Sequence, residues 1–158
     1  MTTSAKVIAN AFIERSHKES KPLSNMQLQK LVYIANGFCL ALLDKPLYYE
    51  ETYAWTYGPL IKPLYSSLMS YGSNNITSTI PISPYEDKID LNEEKIINYV
   101  WSKYSDMSAY KLSDLTHQAG TPWDITWRNN DYGMIDNNVI AEYYKTLVNI
   151  TTQQSNAS

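Results

Sequence analysis

Residues 24–43 constrain the fold more than any other stretch of this chain. Ser24 is placed to cap a helix while Gln27, three residues on, reaches back to it, a reciprocal pair that satisfies two of the amide donors a helix start leaves open. Leu23 and Leu28 can close over that start as a hydrophobic staple. Leu28, Leu31, Ala35, Phe38 and Leu42 then step 3, 4, 3, 4 along one face, and Val32, Cys39 and Leu43 widen the stripe. A helix apolar over so much of its circumference must be flanked on more than one side. Cys39 in this setting reads as a small core filler and not as a nucleophile.

The remaining periodicity supplies the flanking elements. Ala5, Ile8, Ala9 and Phe12 predict a first amphipathic helix from Ser4 to about Glu19, ending near Lys21-Pro22. Residues 47–57 alternate Tyr53, Trp55 and Tyr57 with Thr52, Ala54 and Thr56, which favours extended structure, and Gly58-Pro59 is expected to stop it. Pro63 fits the first turn of a short helix carrying Leu64, Tyr65 and Leu68, closed by Gly72. From Ser73 to Ile89 the chain is rich in Ser, Asn, Thr and Pro and reads as its longest irregular segment. Asp90 and Glu93 mark the start of a fourth helix with Ile97, Val100 and Tyr104 inward, and Ser108 that of a fifth with Leu112, Leu115 and Ala119 inward. Trp123 and Trp127 follow on a short helical turn, and Asp136 caps a last helix carrying Ile140, Tyr143, Tyr144 and Leu147. The expectation is a mainly α protein: a compact single-domain bundle of about six helices with a short extended or β segment near residues 47–57. Residues 1–148 form the domain, and residues 149–158 a polar tail expected to fray.

Composition excludes several classes of function. Arg15 and Arg128 are the only arginines among 13 basic residues, a poor basis for phosphate forks, so no nucleic-acid partner is expected. The net charge of −3 conceals a polarity. Residues 1–80 hold seven Lys/Arg against five Asp/Glu, whereas residues 81–158 hold six against eleven. That acidic half is either a solvated face or a steering field for a basic partner. A single cysteine rules out an intrachain disulfide and a multi-cysteine metal site. No run approaches the roughly 18 apolar residues of a membrane span and no signal-peptide layout opens the chain, so a cytoplasmic protein is expected. The surplus of rings is uneven, with 14 Tyr and four Trp beside two Phe. Rings with a polar handle suit half-buried surfaces and interfaces.

Chemistry is thinly represented. Asp114 lies three residues before His117 and could orient its imidazole, which gives a small enzyme using His117 as a second reading. The rest of a catalytic constellation is missing, and a histidine near a helix end commonly bonds backbone carbonyls, so His117 is read as structural. No metal site is expected from two histidines without clustered ligands.

Three segments together resemble the Panacea domain, the family of SocA-like antitoxins and phage-associated GepA proteins. They are Met26-Gln27-Leu28-Gln29-Lys30-Leu31-Val32-Tyr33-Ile34-Ala35, then Ala54-Trp55-Thr56-Tyr57-Gly58-Pro59-Leu60 with Tyr65 following, and Leu115-Thr116-His117-Gln118 with Pro122-Trp123. The resemblance covers about residues 5–148. It implies a helical antitoxin, encoded by bacteria, phage or prophage, that neutralises a cognate protein toxin by direct contact, with no cofactor. In the SocA-like mode it also implies presentation of the toxin to a protease; a phage adaptor for a host protein is the alternative. Some relatives carry an added DNA-binding domain; with only a short N-terminal arm and a polar tail outside the domain, none is expected here. Trp55, Tyr57, Tyr65, His117 and Trp123 are the expected partner-binding residues. On the residues alone these rings either complete the core or border a groove that accepts a toxin segment.

Overall fold

The computed structural model describes residues 2–157, with side chains described through Asn149; Met1 and Ser158 lie outside the described residues. Seven α-helices and one small sheet follow in order: α1 (Ala5–Lys18), α2 (Asn25–Leu43), β1 (Tyr53–Trp55), β2 (Gly58–Leu60), α3 (Lys62–Leu68), α4 (Leu91–Tyr104), α5 (Ala109–His117), α6 (Pro122–Asn129) and α7 (Asn137–Ala157). The helix beyond the expected six is α6, a full two turns where the Trp123–Trp127 spacing suggested one. Thr121 caps it through Asp124 N, and Pro122 fits where no amide donor is needed. The backbone of α7 stays helical to Ala157, so the stretch expected to fray as a tail continues the last helix.

The centre is α2, in which every residue from Leu28 to Leu40 is buried. Its capping box forms as the sequence dictates, Ser24 accepting from Gln27 N while the Gln27 side chain accepts from Ser24 N. Helices α1, α4, α5 and α7 pack around it. That enclosure accounts for an apolar content high enough for α2 to pass, on length and hydropathy alone, for a membrane span, contrary to the sequence expectation; 72% of the qualifying window is buried in the bundle. Leu42, expected on the inner stripe, is 53% exposed, while its neighbours Ala41 and Leu43 pack against the core instead. Ala119 likewise falls beyond α5 and is exposed.

Two of the flanking contacts are close. At Gly37 the ring of Tyr144 from α7 fills the space a side chain would take, so that a Cβ would sit 2.4 Å from Tyr144 Cδ2 and Cε2. The same ring meets Phe38 edge-on at 5.0 Å and Tyr33 at 6.1 Å. On the other side, Arg15 of α1 bonds Asn98 Oδ1 at 2.6 Å and the Glu94 carboxylate, both on α4.

Long irregular segments are held by side chains that imitate a strand. Asn10 of α1 donates to Ile80 O at 2.8 Å and accepts from Ile80 N at 2.7 Å, and Ile76 N donates to Leu23 O at 2.8 Å. Both isoleucines are buried, so the segment from Ser73 to Ile89 is anchored at two points. The β segment is shorter than expected and turns back on itself. Instead of stopping the strand, Gly58 and Pro59 begin its antiparallel partner, in the register Tyr53↔Leu60, Ala54↔Pro59, Trp55↔Gly58.

Two substitutions measure this core. Leu31→Ala is expected to destabilise the fold by about 2 to 5 kcal/mol, the cost of truncating a fully buried leucine. Gly37→Ala is expected to cost about 1 to 3 kcal/mol by displacing the Tyr144 ring, although alanine favours helix by about 1 kcal/mol elsewhere. Urea unfolding midpoints check both, and a Gly37→Ala protein at least as stable as the parent would refute the close α2–α7 approach.

Candidate functional site

The site is built outward from α2, three of whose polar residues are as buried as its core leucines. Gln29, Lys30 and Asn36 are 0%, 1% and 1% exposed. Each is spent on a main-chain atom of the segment 47–61. Gln29 Oε1 accepts from Ile61 N at 3.0 Å, Lys30 Nζ donates to Pro59 O at 3.1 Å, and Asn36 Oδ1 accepts from Leu47 N at 2.8 Å. On β2 itself the Lys30 ammonium supplies, at Pro59 O, a bond that a further strand would otherwise make, and Gln29 does the same just past its end at Ile61 N. The opposite edge of the hairpin is closed by residues 133–135, where Ala54 N donates to Gly133 O at 2.8 Å and Ile135 N to Thr52 O at 2.8 Å.

At the turn, Gly58 has φ +114°, a conformation side-chain-bearing residues resist, and a Cβ there would meet Lys30 Cε at 2.9 Å. Lys30 therefore lies directly beneath the turn, with Met26 Sδ at 3.1 Å as its other contact. Burial lowers its pKa from 10.5 to about 7. Burial also pushes the Cys39 thiol up to about 12, with the Glu93 carboxylate adding to the shift, which keeps that sulfur protonated as expected of a core filler.

The alternation of the hairpin turns Thr52 and Ala54 inward and leaves Tyr53 and Trp55 half-buried on the outer face. Trp55 starts a continuous run of ring contacts. It meets Tyr65 of α3 at 6.4 Å and, edge-on, Tyr132 at 5.8 Å. Tyr132 meets Trp127 at 5.0 Å, Trp127 stacks on Trp123 at 5.1 Å and 14°, and Trp123 meets the His117 ring edge-on at 5.2 Å. The Trp123 indole also donates to Trp55 O at 2.6 Å, tying α6 to β1. Lys62 lies over the Tyr53 ring at 3.8 Å and 5.9 Å from that of Trp55.

Of the five expected partner-binding residues, the structure brings Trp55, Tyr65, His117 and Trp123 into this one array. Tyr57 stands apart from it at the hairpin turn, 67% exposed, with its carbonyl accepting from the Ser113 hydroxyl. Trp127, Tyr132, Tyr53 and Lys62 were not singled out as partner-binding by the sequence. The spacing of Trp127 to Trp123 was a usable signal; Tyr132 was not recoverable, because it joins the array from a turn residue with φ 61°. Tyr132 and Met134, 50% and 58% exposed, border the array on its solvent side.

The Asp114–His117 pairing does not form. Asp114 accepts from Gln118 Nε2 at 3.1 Å, while His117 Nδ1 is bonded to Ser113 O, which as a carbonyl only accepts and so fixes the proton on Nδ1. Among the described residues no group of three or more His, Cys, Asp and Glu is arranged to hold a metal ion. Among the same residues, Tyr33 Oη, Trp55 Nε1 and Glu93 Oε2 are buried side-chain atoms without a hydrogen-bond partner.

Comparison with known proteins converges on one family. The profile described as "Antitoxin SocA-like, Panacea domain" matches residues 28–124, from α2 to the start of α6, which takes in Lys30, the hairpin, Tyr65, His117 and Trp123. That span is narrower than the resemblance over residues 5–148 and leaves out α1 and α7. The chain is also 30% identical over 132 residues to antitoxin SocA of Caulobacter vibrioides, an alignment covering 77% of this chain and 69% of that protein. No solved structure matches.

The buried lysine beneath the hairpin makes stability depend on pH. Unfolded, Lys30 titrates near 10.5; folded, near 7, so between these values the unfolded chain holds the extra proton and stability rises with pH. The window closes near pH 10.0, where unfolded tyrosines ionise while Tyr33 and Tyr144, whose burial raises their pKa well above that value, do not. The contribution of one proton is at most about 1.4 kcal/mol per pH unit. Urea unfolding of the parent and Lys30→Met between about pH 7 and about pH 9.5 measures it. The parent should gain stability relative to the variant, and parallel curves would mean that Lys30 stays charged in the fold.

Proposed function

Because the chain belongs to the SocA-like antitoxins with a Panacea domain, we propose that it is a cytoplasmic antitoxin that neutralises a cognate protein toxin by direct contact, through the ring array around the hairpin. The observation that carries this reading is the array's position. Trp123 and His117 are held to the scaffold by hydrogen bonds, while Tyr132 and Met134 stand 50% and 58% exposed on the array's solvent side and Tyr57 stands 67% exposed at the neighbouring hairpin turn. Rigid aromatic anchors with a solvent-facing rim are the composition of a protein-binding hot spot, since rings bury much area for little lost conformational freedom. The unpaired indole N–H of Trp55 fits the same reading, because a buried donor without an acceptor is a defect that a partner's carbonyl can relieve after a small ring shift.

Sequestration alone accounts for neutralisation on this reading; delivery of the toxin to a protease would add a second contact surface. The enzyme reading is less well supported, because His117 has no carboxylate to orient it. It is not an essential part of the antitoxin reading that His117 touch the toxin, since its imidazole already serves α5 and Trp123.

The test uses the product of a small neighbouring gene that is lethal unless this chain is co-expressed. Tyr57→Ala and Tyr132→Ala are expected to weaken the toxin complex by about 2 kcal/mol or more each, the scale of a hot-spot truncation. Tyr57→Ala should leave the melting temperature unchanged, because its side chain is 67% exposed at the hairpin turn. Growth rescue and binding calorimetry together decide: folded variants that bind and rescue as the parent does would move the toxin surface elsewhere.

A further inference from the structure

Away from the hairpin, a cavity of about 280 Å³ opens where α2, α4, α5, α6 and α7 converge. Its polar lining is unusual in kind. Tyr33, Tyr104, Tyr143 and Tyr144 all face it together with Lys103, and no aspartate or glutamate lines it. Tyr33 is 1% exposed, and its hydroxyl has no hydrogen-bond partner among the described residues. Thr116 and Thr121 also line the cavity, but their hydroxyl protons are spent on Leu112 O and Gln118 O, each at 2.8 Å. Burial raises the pKa of all four phenols, that of Tyr104 to about 12, so they remain donors. The remaining wall is apolar, with Ile34, Leu115 and Leu147 among it.

A chamber lined by four phenols, one of them with an unpartnered hydroxyl, and by one ammonium that also donates to Tyr99 Oη at 3.2 Å, with no carboxylate, is complementary to acceptor oxygens carrying negative charge. Its apolar wall and size suit a body of about a dozen non-hydrogen atoms. We propose that this cavity binds a small monocarboxylate with an apolar body, its carboxylate accepting from the tyrosine hydroxyls and pairing with Lys103. Four tyrosines also suggest the opposite, an aromatic cage for a quaternary ammonium. That reading meets an obstacle: Lys103 Nζ already lies 5.5 Å from the Tyr104 ring, and a second cation would find no carboxylate in the lining to balance it.

The full chain is titrated by calorimetry, with ligand-observed NMR in parallel, using phenylbutyrate, the neutral phenylbutanol and the cationic phenylbutyl-trimethylammonium. Phenylbutyrate should bind saturably and tightest. Tyr33→Phe, which removes a hydroxyl that bonds nothing within the described protein and so leaves the fold intact, should weaken it about tenfold or more, the factor for losing a hydrogen bond to a charged group. Lys103→Met should erase the preference for the acid over the alcohol. Tighter binding of the ammonium compound, equal binding of acid and alcohol, indifference to Tyr33→Phe, or no saturation up to about 10 mM would each overturn the proposal.

Discussion

A helix enclosed on all sides has nowhere to put its polar side chains except against other parts of its own chain, and that constraint organises this protein. Gln29, Lys30 and Asn36 sit among the leucines of α2, where an unbonded polar group would cost about 1 to 3 kcal/mol. Each is relieved by reaching a main-chain atom of residues 47–61, a stretch with only three-residue strands and little regular structure of its own. The helix thus serves as the template on which the hairpin is laid, and the hairpin in turn positions α6 through the bond from Trp123 to Trp55 O. Fold and ring array share one set of supports, so damage to the buried polar residues reaches the surface without any surface residue changing.

Much of this was legible because it depends on local rules. The capping boxes at Ser24–Gln27 and Asp90–Glu93 both form, since reciprocal capping needs only neighbours in sequence. The leucine stripe located the core for the same reason, with an overreach at Leu42, where Ala41 and Leu43 and not the strict 3, 4 step face the core. The alternation around Trp55 located β1, yet the return strand was missed. Gly58 and Pro59 are strong turn signals taken alone, and they act as a strand here by pairing with Trp55 and Ala54, with Lys30 bonding Pro59 O from another element.

The ring array was half legible for a parallel reason. Trp55, Tyr65, His117 and Trp123 came from the family resemblance, which marks residues without saying what they touch. Their convergence is tertiary, and Tyr132 enters from a left-handed turn position that no periodicity reveals. The Asp114–His117 pairing failed because helical spacing only brings two side chains within reach. Ser113 O and Gln118, nearer in the actual geometry, took both partners.

The anchoring of the hairpin through its main chain has an evolutionary side. The bonds from α2 end on Leu47 N, Pro59 O and Ile61 N, atoms that every residue but proline supplies for the amides and that every residue supplies for the carbonyl. Side chains on the outer face of the hairpin are therefore not consulted by the scaffold that holds them. Such a surface can be rewritten residue by residue while the helix beneath stays as it is.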